Sequence, residues 1–288
     1  MAIAESELIL NPDGSIYHLN LLPEDISDTI ITVGDPDRVD DVSKYFDVIE
    51  LKKGKREFIT HTGILNGKRI TVISTGIGTD NIDIVLNELD ALVNIDLPTR
   101  EVKSQKSSLN IVRIGTSGAI QSDIPIDSFL LSETAVGFDG LLHFYDTTQY
   151  QNHEFAKELT PYLNWNDKGI IPYVFNSDKD LAQKLTSNRI RFGATCTNAG
   201  FYAPQGRQLR LRPNLTDFHQ KLQSFQYKEQ KITNLEMETA GIYGLSKLLG
   251  HKAVSMNAIL ANRATGDFSK TPGKTVDSLI QYCLQQLT

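Results

Sequence analysis

Residues 109–118 read LNIVRIGTSG: an apolar strand pattern, Asn110–Ile114, interrupted by Arg113 and followed by a turn pattern, Gly115-Thr116-Ser117-Gly118. A charge in a sheet core costs several kcal/mol unless it is paired. Two readings of Arg113 stay open. It makes an internal salt bridge, or it lines a pocket floor while the turn's N–H groups and hydroxyls complete an anion nest.

Outward from this strand, strand-like and helix-like segments alternate. Upstream, Thr29–Val33 (TIITV) is a β-branched run, Asp37–Phe46 has a helical pattern, and Phe58–Ser74 reads as two strands joined at Asn66-Gly67. Thr79–Val93 places Ile82, Val85, Leu86, Leu89 and Val93 at helical spacing. Downstream, Ser128–Val136, Gly169–Val174, Ile190–Thr197 and Ala253–Asn262 read as strands, with helices over Met237–Leu249 and Thr275–Leu287. The alternation argues for an α/β domain, one sheet covered by helices, spanning residues 1–288. The polar stretch Asn94–Ser108 is expected to be an insertion or mobile loop. With 288 residues, 40% of them hydrophobic and 22% charged, the chain can build a sizeable core.

Composition excludes several classes of function. A net charge of −6 disfavours nucleic acid as a partner. Cys196 and Cys283 suit neither a disulfide framework nor a zinc site, and the scattered histidines carry no metal motif, so no metal site is expected. No apolar run approaches the ~20 residues that cross a bilayer. The first ten residues lack a signal-peptide pattern, which points to the cytoplasm. Gly273-Lys274-Thr275 ends like a P-loop, but Phe268 stands where its first glycine belongs, and no G-x-S-x-G elbow occurs.

GDPDRV, residues 34–39, lies where a strand hands over to a helix. Gly34 permits close approach of a ligand, Asp35 can cap, and Pro36 suits the first helical turn. A helix start attracts anions, so Arg38 reads equally as an anion ligand or a solvated surface residue. Arg56, in GKREFIT beside Lys52, Lys53 and Lys55, reads by itself as part of an exposed basic cluster.

Six blocks, GDPDRV, KREF, STGIG, VRIGTSGAI, FYAPQGR and LEMETAG, occur in an order that resembles the nucleoside phosphorylase superfamily, in its uridine phosphorylase branch. The match runs from about Ile16 to Arg263. The resemblance implies a mixed twisted central sheet, a partly closed barrel flanked by helices, of the phosphorylase/hydrolase-like kind. It implies phosphate ligands at Gly34, Arg38, Arg113 and Thr116, with Arg56 donated by a neighbouring subunit. His18, in Ser15–Leu19, would reach across the dimer to the 5′-hydroxyl, with Tyr17 near base or sugar. Glu236, Met237 and Glu238 resemble the ribose clamp, although Thr233-x-x-Glu236 also fits a helix capping box.

Within FYAPQGR, Gln205 and Arg207 match the pair that reads uracil, and Phe201 the aromatic against the base. Leu260 would be an apolar wall, and Arg263 would stand near the pyrimidine. The implied reaction is phosphorolysis of uridine, in nucleoside salvage, with deoxyuridine or thymidine as further substrates. Arg113, Gln205 and Arg207 would be the catalytic groups. Phosphate would be a co-substrate and no cofactor is expected, although some relatives hold a monovalent cation at the dimer interface, where Glu57 could contribute. A homodimer with shared active sites is implied, or three dimers stacked as a hexamer.

The competing readings are a purine nucleoside phosphorylase and a nucleosidase. The first should carry a Ser-Asp pair after the final core strand, where this chain has Leu260-Ala261-Asn262-Arg263 and reaches Asp267 only later. The second would use water and has no need of three phosphate arginines. A non-enzymatic nucleoside-binding protein is a third reading that no residue positively supports.

Overall fold

Thr29–Val33 is buried along its whole length, as a β-branched strand covered on both faces must be. The computed structural model describes residues 2–165 and 169–288. Its strands are β1 (Thr29–Val33), β2 (Val48–Lys55), β3 (Phe58–Leu65), β4 (Lys68–Ser74), β5 (Ile95–Asp96), β6 (Glu101–Val102) and β7 (Asn110–Ala119). They continue as β8 (Phe129–Gly137), β9 (Tyr173–Asn176), β10 (Ile190–Thr197), β11 (Gln226–Tyr227), β12 (Gln230–Glu236), β13 (Lys252–Asn262) and β14 (Asp267–Phe268). The helices are α1 (Asp37–Ser43), α2 (Thr79–Asn94), α3 (His153–Leu163), α4 (Lys179–Lys184), α5 (Phe218–Ser224), α6 (Thr239–Leu249) and α7 (Pro272–Leu287).

The main sheet runs β11-β12-β10-β8-β13-β7-β1-β4-β3-β2. β7 lies parallel to β1 and β13, while its far end pairs antiparallel with β12 through Gly118↔Leu235 and Ala119↔Asn234. That last pairing returns the sheet to itself, so β7, β13, β8, β10 and β12 form a closed ring. The mixed sheet with a partly closed barrel is therefore present. Ile82, Val85, Leu86 and Leu89 of α2 pack with Ile242, Tyr243 and Leu245 of α6 on one side of the sheet. Val39 and Val42 of α1 and Leu279, Ile280 and Leu284 of α7 cover the other.

Three expectations change and a fourth gains detail. Gly115–Gly118 is no turn: it continues β7, paired to Asn257–Ile259 and Ala261 of β13. Its backbone belongs to a ladder and builds no anion nest. Gly115 has a packing reason instead, because a Cβ there would run into the Arg113 guanidinium. The stretch Asn94–Ser108, expected as an insertion or mobile loop, contains the β5–β6 hairpin. Asn94 clamps its base by exchanging bonds with Ser107, at 3.1 and 2.7 Å, and the Ile3 amide bonds the Arg100 carbonyl at 2.8 Å. The strand expected from Gly169 starts later, at Tyr173, just after Pro172, which cannot donate to a ladder. The helix expected from Met237 starts at Thr239, where the Glu236 carboxylate accepts the Glu238 and Thr239 amides, each at 2.9 Å. None of the described helices is long and apolar enough to cross a membrane.

Candidate active site

β1 and β4 stop at Val33 and Ser74, while β7 and β13 run on to Ala119 and Asn262. This step opens a cavity of about 780 Å³ beyond the carboxyl end of β1, where open α/β sheets bind their ligands. Gly34, Arg38, Arg113, Thr116, Glu236, Met237 and Glu238 line it, together with Phe201, Gln205, Arg207 and Leu260. Segments far apart in the chain thus converge on one chamber.

Arg113 makes the internal salt bridge and also lines the cavity, without the nest of the second reading. It is buried, donates from Nη2 to Glu238 Oε2 at 2.6 Å, and lies 3.1 Å from Glu236 Oε2. Its Nη1 reaches Ser255 Oγ and Asn257 Oδ1, both at 3.3 Å. Burial opposes its charge, but the two carboxylates outweigh burial and hold its pKa above the ordinary guanidinium value. Arg38 differs: burial, then the nearby Arg113, hold its pKa below that value. A guanidinium stays charged under either influence, so Arg38 is a half-buried cation whose surroundings favour the arrival of an anion.

Glu236 and Glu238 divide their work. Glu236 Oε2 accepts from the Glu238 and Thr239 amides and from Thr239 Oγ1, and its Oε1 accepts from Thr197 Oγ1 at 2.5 Å. It caps α6 from β12. The box Thr233-x-x-Glu236 does not form, because both residues sit in β12 and Thr233 Oγ1 donates to the Ala194 carbonyl. Glu238 accepts from the Gly78 amide at 2.9 Å and from Arg113. Burial raises its pKa, Arg113 pulls it back, and Glu236 pushes it up again.

The loop Phe201–Arg207 supplies another part of the lining. The Arg207 guanidinium stands 3.8 Å from the Phe201 ring centroid and donates to the Phe201 carbonyl at 2.7 Å and to Gln205 Oε1. An amide oxygen held this way leaves the Gln205 NH₂ on the other side. Gly206 adopts the left-handed conformation, φ +68°, that ends the turn.

A sequence model of the phosphorylase superfamily matches residues 28–282. The chain belongs to the phosphorylase superfamily. It is 29% identical over 266 residues to a uridine phosphorylase of Thermococcus kodakarensis, a match covering 91% of this chain and 83% of that protein. It is 25% identical over 251 residues to a DeoD-type purine nucleoside phosphorylase of Shewanella denitrificans, covering 87% and 88%. A solved Trypanosoma brucei nucleoside phosphorylase, described as showing uridine phosphorylase activity, superposes with a TM-score of 0.88 at 27% identity. That superposition covers 98% of this chain and 99% of the other.

In this phosphorylase, four expected site residues do not line the cavity of their own chain. Tyr17 and His18 lie elsewhere, His18 Nδ1 meeting Glu88 Oε1 at 2.6 Å. Arg56 is exposed at the β2–β3 hairpin tip with φ +56°. Arg263 supports the Phe201–Arg207 loop, where its guanidinium donates to the Gln205 and Gly206 carbonyls. Burial, then Arg207, push its pKa down to about 10. The position expected to face a pyrimidine thus supports the loop from outside the cavity.

Ile77, Asn81, Leu235 and Phe268 also line the cavity, and none was singled out as a site residue, although Ile77 lies in STGIG and Leu235 in LEMETAG. Ile77 and Phe268 are 68% and 64% exposed at its rim. Single exposed apolar side chains are common, so their residue type set neither apart.

Proposed function

We propose that this phosphorylase is a pentosyltransferase acting on pyrimidine nucleosides, cleaving uridine with inorganic phosphate to uracil and ribose-1-phosphate. Deoxyuridine and thymidine are proposed as further substrates and nucleoside salvage as its role. The observation that carries this reading is the Gln205 amide, whose oxygen Arg207 holds beside Phe201, in the same cavity as Arg38 and Arg113. That oxygen has a second lone pair for uracil N3–H, and the NH₂ suits an adjacent carbonyl. Cytosine has an acceptor at N3 and would leave polar groups unpaired, a mismatch that discriminates strongly.

Cleavage of the glycosidic bond builds positive charge on ribose and negative charge on the base. Phosphate held by Arg38, Arg113 and Thr116 stabilises the first and attacks C1′; Gln205 and Arg207 stabilise the second. The C1′–N1 bond breaks with its electron pair on the base, and a phosphate oxygen forms the new bond to C1′. Glu238 accepts from the ribose hydroxyls, and Met237 packs under the sugar. No cofactor is proposed beyond the co-substrate phosphate. A purine reading has less support, because Asp267 does not line the cavity and accepts from Thr265 Oγ1 at 2.6 Å instead.

Charge balance favours a shared site. Arg38 and Arg113 face Glu236 and Glu238, which leaves little net charge for a phosphate dianion. We propose that Arg56, His18 and Tyr17 of a second copy complete the site in a homodimer. Arg56 occupies the first position of a two-residue hairpin loop closed by Lys55 and Phe58. A positive φ there is glycine's place, and an arginine held in it bears strain of the kind that gathers at functional sites. Arg56→Gly is expected to melt no lower than the parent and higher than Arg56→Ala, because glycine relieves the strain. Both variants are expected to raise the phosphate KM about tenfold or more, from the loss of a charged hydrogen-bond donor. A normal phosphate KM in both would remove Arg56 from the site.

The reaction itself is tested by following uracil release from uridine with and without phosphate, with inosine run alongside. Uracil only in the presence of phosphate is the expected result. Equal release without phosphate would make the protein a hydrolase. Hypoxanthine from inosine with no uracil from uridine would overturn the base assignment.

A further inference from the structure

Outside the cavity, one carboxylate has an unusual set of partners. Glu88, on α2, accepts from the His18 amide at 3.1 Å to each oxygen and from the Leu19 amide at 2.8 Å. Its Oε1 also meets His18 Nδ1 at 2.6 Å. The Glu88 side chain is 13% exposed and that of His18 27%, so the pair is shielded while the imidazole keeps an outlet. Tyr17 sets the ring's other boundary, edge-on with centroids 4.8 Å apart and planes at 82°. Lys55 holds Tyr17 in turn, donating to its carbonyl at 2.5 Å and standing 4.1 Å from its ring centroid.

An ionised carboxylate can only accept. Nδ1 facing Glu88 must therefore carry its proton, and in the neutral ring Nε2 is left with a lone pair. Among the described residues Nε2 has no hydrogen-bond partner. The hydrogen bond made by one ring nitrogen decides what the other can do, so the geometry fixes both the tautomer and the direction in which it is presented. Two backbone amides would be enough to explain a loop anchor. The third donor, on the ring, is what a loop anchor does not need.

We propose that Glu88 is a positioning residue for nucleoside binding: it holds His18 with Nδ1 protonated and Nε2 turned outward to accept the nucleoside 5′-hydroxyl. The proposal rests on the reading of His18 as the 5′-hydroxyl ligand, and one set of measurements separates the two. KM and kcat would be measured for uridine and 5′-deoxyuridine in His18→Ala, Glu88→Ala and Glu88→Gln. The Gln variant keeps the side chain's shape, but its NH₂ group cannot accept from the donors now facing Glu88.

The expected result is a rise of about tenfold in KM for uridine in all three variants, the scale of one lost hydrogen bond to the substrate. Values for 5′-deoxyuridine should stay near those of the parent. If His18→Ala discriminates between the substrates and both Glu88 variants impair them equally or not at all, Glu88 is only a loop anchor and the proposal fails alone. If His18→Ala does not discriminate, the 5′-hydroxyl reading fails and the proposal falls with it.

Discussion

Arg113→Ala is expected to cost about 3–5 kcal/mol of stability at neutral pH, the range for removing one partner of a buried ion pair. Activity should fall with it, beyond what the loss of folded protein explains. The substitution leaves Glu236 and Glu238 facing each other, both buried, with their shared cation gone. Glu236 still has three amide and hydroxyl donors on Oε2, whereas among the described residues Glu238 keeps the Gly78 amide alone. Glu238 therefore bears most of the loss.

The pH dependence has a definite sign. A carboxyl whose folded-state pKa lies above its unfolded value penalises the fold at high pH, and the penalty is relieved as the pH falls and the group protonates. The Glu238 pKa is already raised, by burial above all, and Arg113 is the influence that restrains it. Without Arg113 the rise is larger. The stability deficit of Arg113→Ala relative to the parent should therefore shrink as the pH is lowered from about 8 to about 5. Denaturant melts of both proteins at several pH values test this, and a constant deficit would mean that Glu238 is not the group left exposed to the loss.

Arg207→Ala is expected to lower kcat about 10²–10³-fold, the cost of losing one preorganised donor to a developing anion, while the phosphate KM changes little. A second effect follows from the contact between Arg207 and Gln205 Oε1. Without the guanidinium that oxygen loses its fixed donor, and the amide can turn over to present its NH₂ group toward N3. Exclusion of cytidine should weaken accordingly. Steady-state kinetics with uridine and cytidine read both effects. Unchanged turnover would remove Arg207 from catalysis, and unchanged exclusion of cytidine would mean that the Gln205 backbone, held by Arg263 and by His219 at 2.7 Å, sets the amide without help.

Periodicity located most elements of this fold because burial imposes it. Ile82, Val85, Leu86 and Leu89 face the core together, and TIITV is buried end to end. The strand β2 escaped notice because its outer edge has no core to answer to: Val48 and Ile49 are 55% and 37% exposed, and the lysines follow. GTSG misled for a definite reason. Glycine is read as a turn former, yet Gly115 makes room for a side chain two residues away, a requirement set by packing alone.

The candidate site was legible where the chemistry is local to a block, as in Gly34-Arg38 and Gln205-Arg207. Arg113 was visible as an anomaly, but its two glutamates lie more than a hundred residues downstream and no spacing rule connects them. Glu88 could not be found at all, since a carboxylate on an amphipathic helix reads as part of a solvated face. The role of Arg263 depends on which side of a loop it approaches from, and only the folded chain decides that.

Lys55 lies outside the cavity, yet it ties together two parts of the proposed shared site. Its ammonium holds the Tyr17 carbonyl and the Asn11 side chain, and its backbone passes directly into the hairpin tip at Arg56. On the proposed reading, the element that meets the nucleoside and the element that meets phosphate move as one body. Two independent arms would each carry an entropy of ordering, borne separately by the two substrates. A joined arm is stilled once, by whichever substrate arrives first, and the other then binds to something already at rest. Phosphate and nucleoside so linked each tighten the other by the same factor, through a lysine that reaches neither.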